Sequence, residues 1–206
     1  MVLYACYNLF LHRRTGATDI VAPTFMAGRG EPAFHETVGL FFNLVPMRTD
    51  IAGCGSFRDV VNRTRATLLE ALSYELPFRE VLLQAEPGLM EPFMDPNGVV
   101  NTFEVNHYPQ TLEEELIGDL RYTGLRRRLL SATDTSEIPN GSLWDFDLDP
   151  AGDMVGVVKY DSFEFDESTI VAMVAEYREL LRTSLASPDS ALPTWSNRED
   201  AAPGAR

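Results

Sequence analysis

A capping motif followed by a single apolar face predicts a helix after Ser56. Ser56 and Asp59 have the spacing of a capping box, with Asp in the position where Glu or Gln is usual. This helix is expected to end near Glu75, because Pro77 disfavours helical geometry in the residue before it, and a short helix is expected at 80–83. The apolar positions that share one face of the first helix are Phe57, Val60, Val61, Thr64, Leu68 and Leu72.

Two further helices are predicted near the ends of the chain. The apolar run of residues 1–11 is typical of a buried helix, and Gly16 is a residue type that commonly ends one. Asp166 is a typical N-cap residue, and Glu167 adds negative charge to the first turn of a final helix. The apolar stripe of this final helix is predicted to comprise Ile170, Met173, Val174, Tyr177, Leu181 and Leu185.

Alternation of apolar and polar residues predicts the strands. Residues 99–108 alternate with period two, as expected for a strand with one buried face, and residues 19–27 predict a strand before a Gly-Arg-Gly turn. Strands at 143–148 and 154–160 are joined by a turn rich in Asp, Pro and Gly, which predicts a hairpin. Because helices and strands do not alternate regularly, the expected fold class is α+β, with a mixed, largely antiparallel sheet and helices packed on one face.

The composition indicates a folded, acidic protein. The 206 residues include 31 acidic and 17 basic ones, and the formal net charge of −14 disfavours binding to nucleic acid or to an anionic membrane. Cys6 and Cys54 match no zinc or disulfide spacing, so both are expected to be reduced and no metal is expected. No apolar run approaches the roughly 20 residues that span a bilayer, and a cytoplasmic location is expected. Residues 1–192 are assigned to one domain, and residues 193–206 to a linker or disordered tail.

Residues 38–48 carry the most specific pattern in the chain. They read Val-Gly-Leu-Phe-Phe-Asn-Leu-Val-Pro-Met-Arg and resemble the Ile/Val-Gly-x-Phe-x-Asn-x-x-Pro-x-Arg signature in the second half of nonribosomal peptide synthetase condensation domains. Residues 9–29 are similar to the helix, strand and Ala-Gly-Arg turn of that family. Residues 144–148 and 163–166 are similar to its Phe-Asp-Leu strand and to the start of its last helix, so the resemblance extends over most of the chain.

The chain departs from the family pattern in two segments. Residues 76–79, Leu-Pro-Phe-Arg, are similar to the family's Asp-x-Pro-Phe-Glu segment, but Glu75 stands where Asp is usual and Arg79 reverses the charge of the usual Glu. Residues 94–97 match the family's Arg-Asp-x-Ser-Arg-x-Pro-Leu segment poorly. The loop around residues 94–97 is therefore expected to have lost contacts that the family makes there.

The resemblance implies a chloramphenicol acetyltransferase-like half-domain. Condensation domains pair two such lobes, and the catalytic His-His-x-x-x-Asp-Gly motif of the first lobe does not occur in this sequence. The resemblance therefore implies the C-terminal, acceptor-side lobe, inactive without the His-containing N-terminal lobe. Phosphopantetheine is expected to be presented by partner carrier proteins, with no cofactor bound directly. The histidines are expected to be structural or at the surface, since none has Asp four residues later: His12, His35 and His107.

Several residues are candidates for contact with a substrate or partner, and each also has a structural interpretation. The candidates for the substrate channel or the lobe interface are Asn43, Arg48, Trp144 and Asp145. For Asn43 and Arg48 the structural role is preferred, and Arg48 is expected to form a two-pronged bond to a buried carboxylate or to carbonyl groups within the lobe. The candidates for carrier-protein contact, which otherwise form a solvated face, are Arg126, Arg127 and Arg128.

One noncatalytic function also fits the sequence, whereas two further catalytic functions lack the residues that they require. A noncatalytic condensation-like module would dock carrier proteins or tailoring enzymes, and the His-containing motif in a neighbouring segment would distinguish the enzyme half from it. An independent CoA-dependent acyltransferase needs its own catalytic His, and no Gly-x-Ser-x-Gly motif supports a hydrolase. A separate lobe is expected to expose an apolar patch, on the 1–11 helix or near Phe41 and Phe42, that favours self-association.

Overall fold

The computed structural model describes residues 1–84, 95, 98–107, 115–122, 141–148, 150, 152 and 154–193. These residues form two compact units, one from Met1–Ala85 with Asp166–Arg206 and one from Glu86–Phe165. The assignment of residues 1–192 to one domain and of 193–206 to a tail stays a prediction.

The first unit combines helices with a two-stranded sheet. Its helices are α1, Val2–Thr15; α2, Phe57–Ser73; α3, Phe78–Gln84; and α4, Glu167–Ala186. Its strands, which pair antiparallel, are β1, Asp19–Met26, and β2, Asn43–Asp50. A short 3₁₀ helix at Pro32–Phe34 lies in the loop between the two strands. Pro23 lies opposite Pro46 in the pairing, so at this point neither strand has an N–H to donate.

Helix α1 is buried because it packs against α2, α4 and β1. Every residue from Tyr4 to Phe10 is buried. The Tyr4 hydroxyl donates to the carbonyl of Ala22 in β1, and the Tyr177 hydroxyl of α4 donates to an α1 carbonyl at 2.9 Å. The helix ends at Gly16, whose φ of 73° is left-handed. The predicted buried helix is confirmed. Of the two places where an exposed apolar patch was expected, residues 1–11 are excluded because most of these side chains form the core, and the region near Phe41 and Phe42 is left.

The predicted start of α2 is confirmed at the level of individual hydrogen bonds. The Ser56 side chain accepts from the Asp59 N–H, and the Asp59 carboxylate accepts from the Ser56 N–H, so both halves of the capping box are present. Leu72 is exposed, which shortens the predicted apolar face. The members of that face that are buried are Phe57, Val60 and Thr64.

Helix α4 buries a slightly different face from the one predicted. Asp166 is its N-cap residue, as predicted, although its side chain makes no capping hydrogen bond. The prediction is wrong at the C-terminal end of the helix, where Leu180 is buried although it was not predicted to be, and Leu185 is exposed although its burial was predicted. Burial follows a spacing of three, four and three residues, which selects Leu180 rather than Leu181. The buried residues of α4 are Ile170, Met173, Tyr177 and Leu180.

The second unit contains a three-stranded sheet with both kinds of pairing. Its strands are β3, Val100–His107; β4, Glu115–Ile117; β5, Leu120–Tyr122; β6, Gly141–Leu148; and β7, Met154–Tyr160. Strand β6 is central, parallel to β3 and antiparallel to β7, while β4 and β5 form a separate antiparallel pair. The predicted β6–β7 hairpin and the predicted α+β fold class are confirmed. None of the helices in the described parts of the chain is both long and apolar enough to cross a membrane.

Candidate functional site

Asn43 joins the start of β2 to the connection between α2 and α3. Its amide nitrogen donates to the Glu75 carboxylate at 3.0 Å and to the Leu76 carbonyl at 2.7 Å. Its amide oxygen accepts from the Phe78 N–H at 2.8 Å. The segments 38–48 and 75–79, which both resemble family motifs, therefore meet at one side chain. These contacts support the structural interpretation of Asn43.

Arg48 forms a two-pronged bond to Asp19 at the other end of β2. Its Nε lies 2.9 and 3.1 Å from the two carboxylate oxygens, and a terminal nitrogen lies 2.6 Å from Oδ2. The partner follows from the strand register, because Asp19 pairs with Asp50 and Arg48 lies diagonally opposite on the same face. The hydrogen bond from Arg48 lowers the pKa of the Asp19 carboxyl.

The exposure of this ion pair corrects one expectation. The Arg48 side chain is 68% exposed and that of Asp19 is 45% exposed. The predicted two-pronged geometry is present, but the predicted burial of its partner is wrong. The exposure of the partner depends on the β1–β2 register, which places Asp19 on a solvent-facing side of the two-stranded sheet. This register could not be derived from the sequence.

Trp144 is buried in the sheet of the second unit. Its indole N–H donates to the Ser142 hydroxyl at 3.2 Å, and that hydroxyl donates to Asn101 Oδ1 at 2.6 Å. Phe103 lies opposite Trp144 in the β3–β6 register, and its ring centroid is 5.2 Å from that of Phe146. Hydrogen bonding satisfies the indole N–H inside this aromatic layer. Trp144 is thus a core residue of its unit.

Asp145 lies on the opposite face of β6, beside a second buried carboxylate. Asp147 follows on the same face, and the two residues are 7% and 2% exposed. The amide nitrogen of Asn106 in β3 donates to Asp145 Oδ1 at 3.0 Å and to Asp147 Oδ1 at 3.5 Å. Sequence reasoning selected Asp145 but missed Asp147 and Asn106. The repetition of Asp at period two was the signal that could have identified the pair.

The histidines occupy separate positions. His12 Nδ1 lies 2.8 Å from the Ala17 carbonyl at the end of α1, whereas His35 and His107 are exposed, after the 3₁₀ helix and at the end of β3. In the part of the chain that the structure describes, no group of three His, Cys, Asp or Glu side chains could hold a metal ion. The predicted carrier-protein contacts, Arg126, Arg127 and Arg128, lie outside the described residues.

The family follows from comparison with known proteins. A model of the condensation domain matches residues 1–202. The chain belongs to the condensation-domain family. One of the linear gramicidin synthase proteins of Brevibacillus parabrevis is 31% identical over 200 residues, which cover 93% of this chain and 2% of the synthase protein. The phosphinothricin tripeptide synthetase PhsB of Streptomyces viridochromogenes is 40% identical over 87 residues, which cover 42% of this chain and 7% of that protein.

Solved structures, among them a condensation domain, share the fold. SgcC5 from Streptomyces globisporus is 41% identical, with a TM-score of 0.84 over 93% of this chain and 43% of its own. The first condensation domain of the calcium-dependent antibiotic synthetase has a TM-score of 0.65 at 18% identity and covers 92% of this chain and 39% of its own, a likeness of fold alone. The resemblance drawn from residues 38–48 and the chloramphenicol acetyltransferase-like fold are confirmed. The chain spans less than half the length of each of these structures and a few per cent of the synthetases.

Proposed function

We propose that this chain is the C-terminal, acceptor-side half of a nonribosomal peptide synthetase condensation domain. The observation that carries the proposal is the structural match to SgcC5, which covers 93% of this chain but only 43% of that one, in a chain whose residues 1–202 match the condensation-domain model. The His-His-x-x-x-Asp-Gly motif, which the family resemblance assigns to the first half, does not occur in the sequence. On this proposal the general base belongs to another segment, and the chain alone catalyses no condensation.

The proposed reaction is amide formation between two carrier-bound substrates. The acceptor amine attacks the carbonyl carbon of the donor thioester, so a C–N bond forms and the C–S bond breaks. The donor phosphopantetheine leaves as a thiol, and the proton that the amine loses balances the thiolate. Carrier proteins present phosphopantetheine, which therefore enters as part of the substrate. A positioned base and hydrogen-bond donors to the developing oxyanion accelerate such a transfer.

In this proposal the candidate residues act through the elements that they hold in place. Asn43 ties β2 to residues 75–78, so two family-like segments form one surface. Arg48 joins β2 to β1, and Trp144 and Asp145 lie on opposite faces of β6. We assign these four side chains to the shape of the acceptor side rather than to direct contact with the reacting atoms.

A chimera tests this function. The region of SgcC5 that this chain matches is replaced by residues 1–202, and the chimera is assayed with the substrates of SgcC5. We expect the isolated chain to be inactive and the chimera to be active. Condensation by the isolated chain that disappears on mutation of His35 or His107 would contradict the proposal. A chimera that melts cooperatively and binds loaded carrier protein without transfer is the outcome expected of a noncatalytic docking module.

SgcC5 also favours a second acceptor class. Its crystal structure is a complex with (R)-(−)-1-(2-naphthyl)-1,2-ethanediol, a vicinal diol. At 41% identity, this supports a hydroxyl acceptor as the alternative to an amine. The hydroxyl oxygen would attack the same thioester carbonyl and form an ester. Supplying the active chimera with the diol or with a carrier-bound amino acid, and measuring the product masses, distinguishes the two acceptors.

A further inference from the structure

The segment that follows α4, residues 187–192 and here called the strap, turns back onto the start of α2. Ala191 forms an isolated antiparallel bridge with Ser56, the N-cap residue of α2. Next to this bridge, the Leu192 N–H donates to the carbonyl of Gly55 at 2.9 Å. The strap therefore runs antiparallel to the residues that enter α2, and the chain leaves the strap beside Gly55.

The strap also satisfies a backbone group at the start of α2. The first N–H groups of a helix have no partner within the helix. The Asp59 N–H donates to the Ser56 hydroxyl at 3.2 Å, as part of the capping box, whereas the Arg58 N–H donates to the carbonyl of Pro188 at 2.9 Å. The cap of α2 is therefore completed by a residue that lies far away in the sequence.

The side chain of Arg58 forms a two-pronged bond to the strap. Its Nε and a terminal nitrogen donate to the two carboxylate oxygens of Asp189, the terminal nitrogen at 3.0 Å, although the two residues are 131 positions apart. The Arg58 side chain is 57% exposed and that of Asp189 is 70% exposed. An exposed ion pair contributes little to the stability of a whole protein. The same small contribution changes the population of a local open state by a measurable factor.

We infer that the strap opens and closes as one unit while the helices stay folded, and that Arg58 is the residue that positions it in the closed state. Its contacts with the start of α2 are backbone hydrogen bonds and an exposed ion pair, and segments held in this way open locally. The closed strap completes the cap of α2 and fixes the point at which the chain leaves the first unit. Opening releases both, so the cap and the chain exit are coupled.

A second arginine fork provides a matched comparison. Arg182 donates to both carboxylate oxygens of Glu179, at 2.9 and 2.6 Å, and the two side chains are 69% and 59% exposed. These residues lie three positions apart in α4, so their ion pair joins two neighbouring turns of one helix. The two forks are alike in chemistry and exposure and differ in the segments that they connect.

Amide hydrogen exchange of the full chain tests the role of Arg58. In Arg58→Ala we expect the Leu192 N–H to exchange about two- to fivefold faster, the factor that an exposed ion pair supplies. Alanine favours helix at this position, so a loss of helix propensity in α2 does not explain the change. Asp189→Asn should give a similar increase, and the double variant should exceed neither single variant. Arg182→Ala is the control and should leave Leu192 unchanged. Wild-type exchange in Arg58→Ala, additive effects in the double variant, or an equal increase in Arg182→Ala would overturn the role of Arg58.

The urea dependence of exchange separates opening of the strap from unfolding of the chain. Local opening exposes little surface, so its free energy falls less steeply with urea than that of global unfolding. We expect the N–H groups of Leu192 and Arg58 to share one shallow dependence, because both of their bonds break when the strap opens. Leu9, buried in α1, should show the steep dependence of global unfolding. An equally steep dependence at Leu192 would show that the strap does not open by itself. Different dependences at Leu192 and Arg58 would show that the cap and the chain exit are not coupled, and either result overturns the inference.

Discussion

At the scale of single residues, the two polar side chains of the 38–48 segment differ in what surrounds them. Asn43 makes three hydrogen bonds to residues 75–78, two of them part-buried. Arg48 makes an equally well-oriented bond to Asp19, but solvent surrounds that pair. Burial therefore predicts that Asn43 contributes more to stability, because water replaces the partner of an exposed ion pair at little cost.

Replacing Asn43 with Ala should destabilise the chain by about 1–3 kcal/mol, the cost of leaving backbone groups near residues 76–78 without their partner. Asn43→Asp should also be destabilising, because it loses the donor to Glu75 and Leu76 and places a second carboxylate beside Glu75. Urea unfolding measures both. Asn62→Ala, at an exposed position of α2, provides the control and should unfold like the wild type. Equal stability of Asn43→Ala and Asn62→Ala would remove the structural role of Asn43.

Arg48→Lys should leave the melting temperature of the chain unchanged. Lysine keeps the charge but not the fork, and solvent already screens the pair with Asp19. The pKa of Asp19 should move back toward its ordinary value, because the hydrogen bond from Arg48 is what lowers it. NMR titration of the Asp19 carboxyl carbon measures this shift. A clear loss of thermal stability in Arg48→Lys would contradict the conclusion that this exposed ion pair contributes little to stability.

The sequence predicted the fork of Arg48 but not its partner. Residue type limits arginine to carboxylates, carbonyls and aromatic faces, so the kind of bond could be predicted. The partner, Asp19, lies 29 residues away and is brought close only by the β1–β2 register. For the same reason the sequence identified Asp145 but not its neighbour Asn106, which belongs to a different strand of the sheet.

At the scale of the elements, local signals predicted the ends of helices better than their buried faces. Ser56, Gly16 and Asp166 lie at the helix ends where they were expected, although the Asp166 side chain makes no capping hydrogen bond, because capping depends on residues within one turn. The predicted apolar stripe of α4 ended at Leu181 and Leu185, whereas the structure buries Leu180. Which of two adjacent rows of side chains is buried depends on the elements packed against the helix. Burial on several sides also explains why the apolar residues of α1 form a nearly continuous run, broken at the buried Asn8, rather than a stripe.

Ser56→Ala should destabilise the chain by about 1 kcal/mol through loss of the cap of α2. Asp59→Glu should preserve stability, since Glu is the usual third member of a capping box. Ser73→Ala, in the last turn of the same helix, is the comparison variant and should be neutral, because its hydroxyl only bonds back to the Leu69 carbonyl. Chemical denaturation of the three variants measures the differences. An unchanged free energy of unfolding in Ser56→Ala would show that the capping box does not stabilise the chain.

At the scale of the whole molecule, the core of the first unit contains weakly acidic groups that the fold keeps protonated. Burial raises the pKa of the Cys6 thiol to about 12, and burial also raises the pKa of Tyr4 and Tyr177 above the ordinary range. The sequence predicted that Cys6 would be reduced and structural, and its position in the buried part of α1 agrees with the structural role. It could not predict that Tyr177 joins Tyr4 and Cys6, because only the packing of α4 against α1 brings Tyr177 to that helix.

The chain should therefore lose stability in alkaline solution. Above the ordinary thiol pKa of 9.0, unfolded Cys6 releases its proton while folded Cys6 retains it up to about pH 12, so the free energy of unfolding falls as pH rises through this window. The decrease per pH unit is at most about 1.4 kcal/mol for each such group, and the tyrosines add to it from their ordinary pKa of 10.0 upward.

Urea unfolding at pH 8, 9, 10 and 11, conditions set by this window, measures the slope. Cys6→Ser should reduce the slope between pH 9 and 10, where the thiol contributes the largest share because the tyrosines add little below their ordinary pKa of 10.0. Cys54→Ser, at a half-buried thiol, should reduce the slope less. If Cys6→Ser keeps the full wild-type slope, the thiol ionises in the folded chain and the burial of Cys6 does not control its protonation.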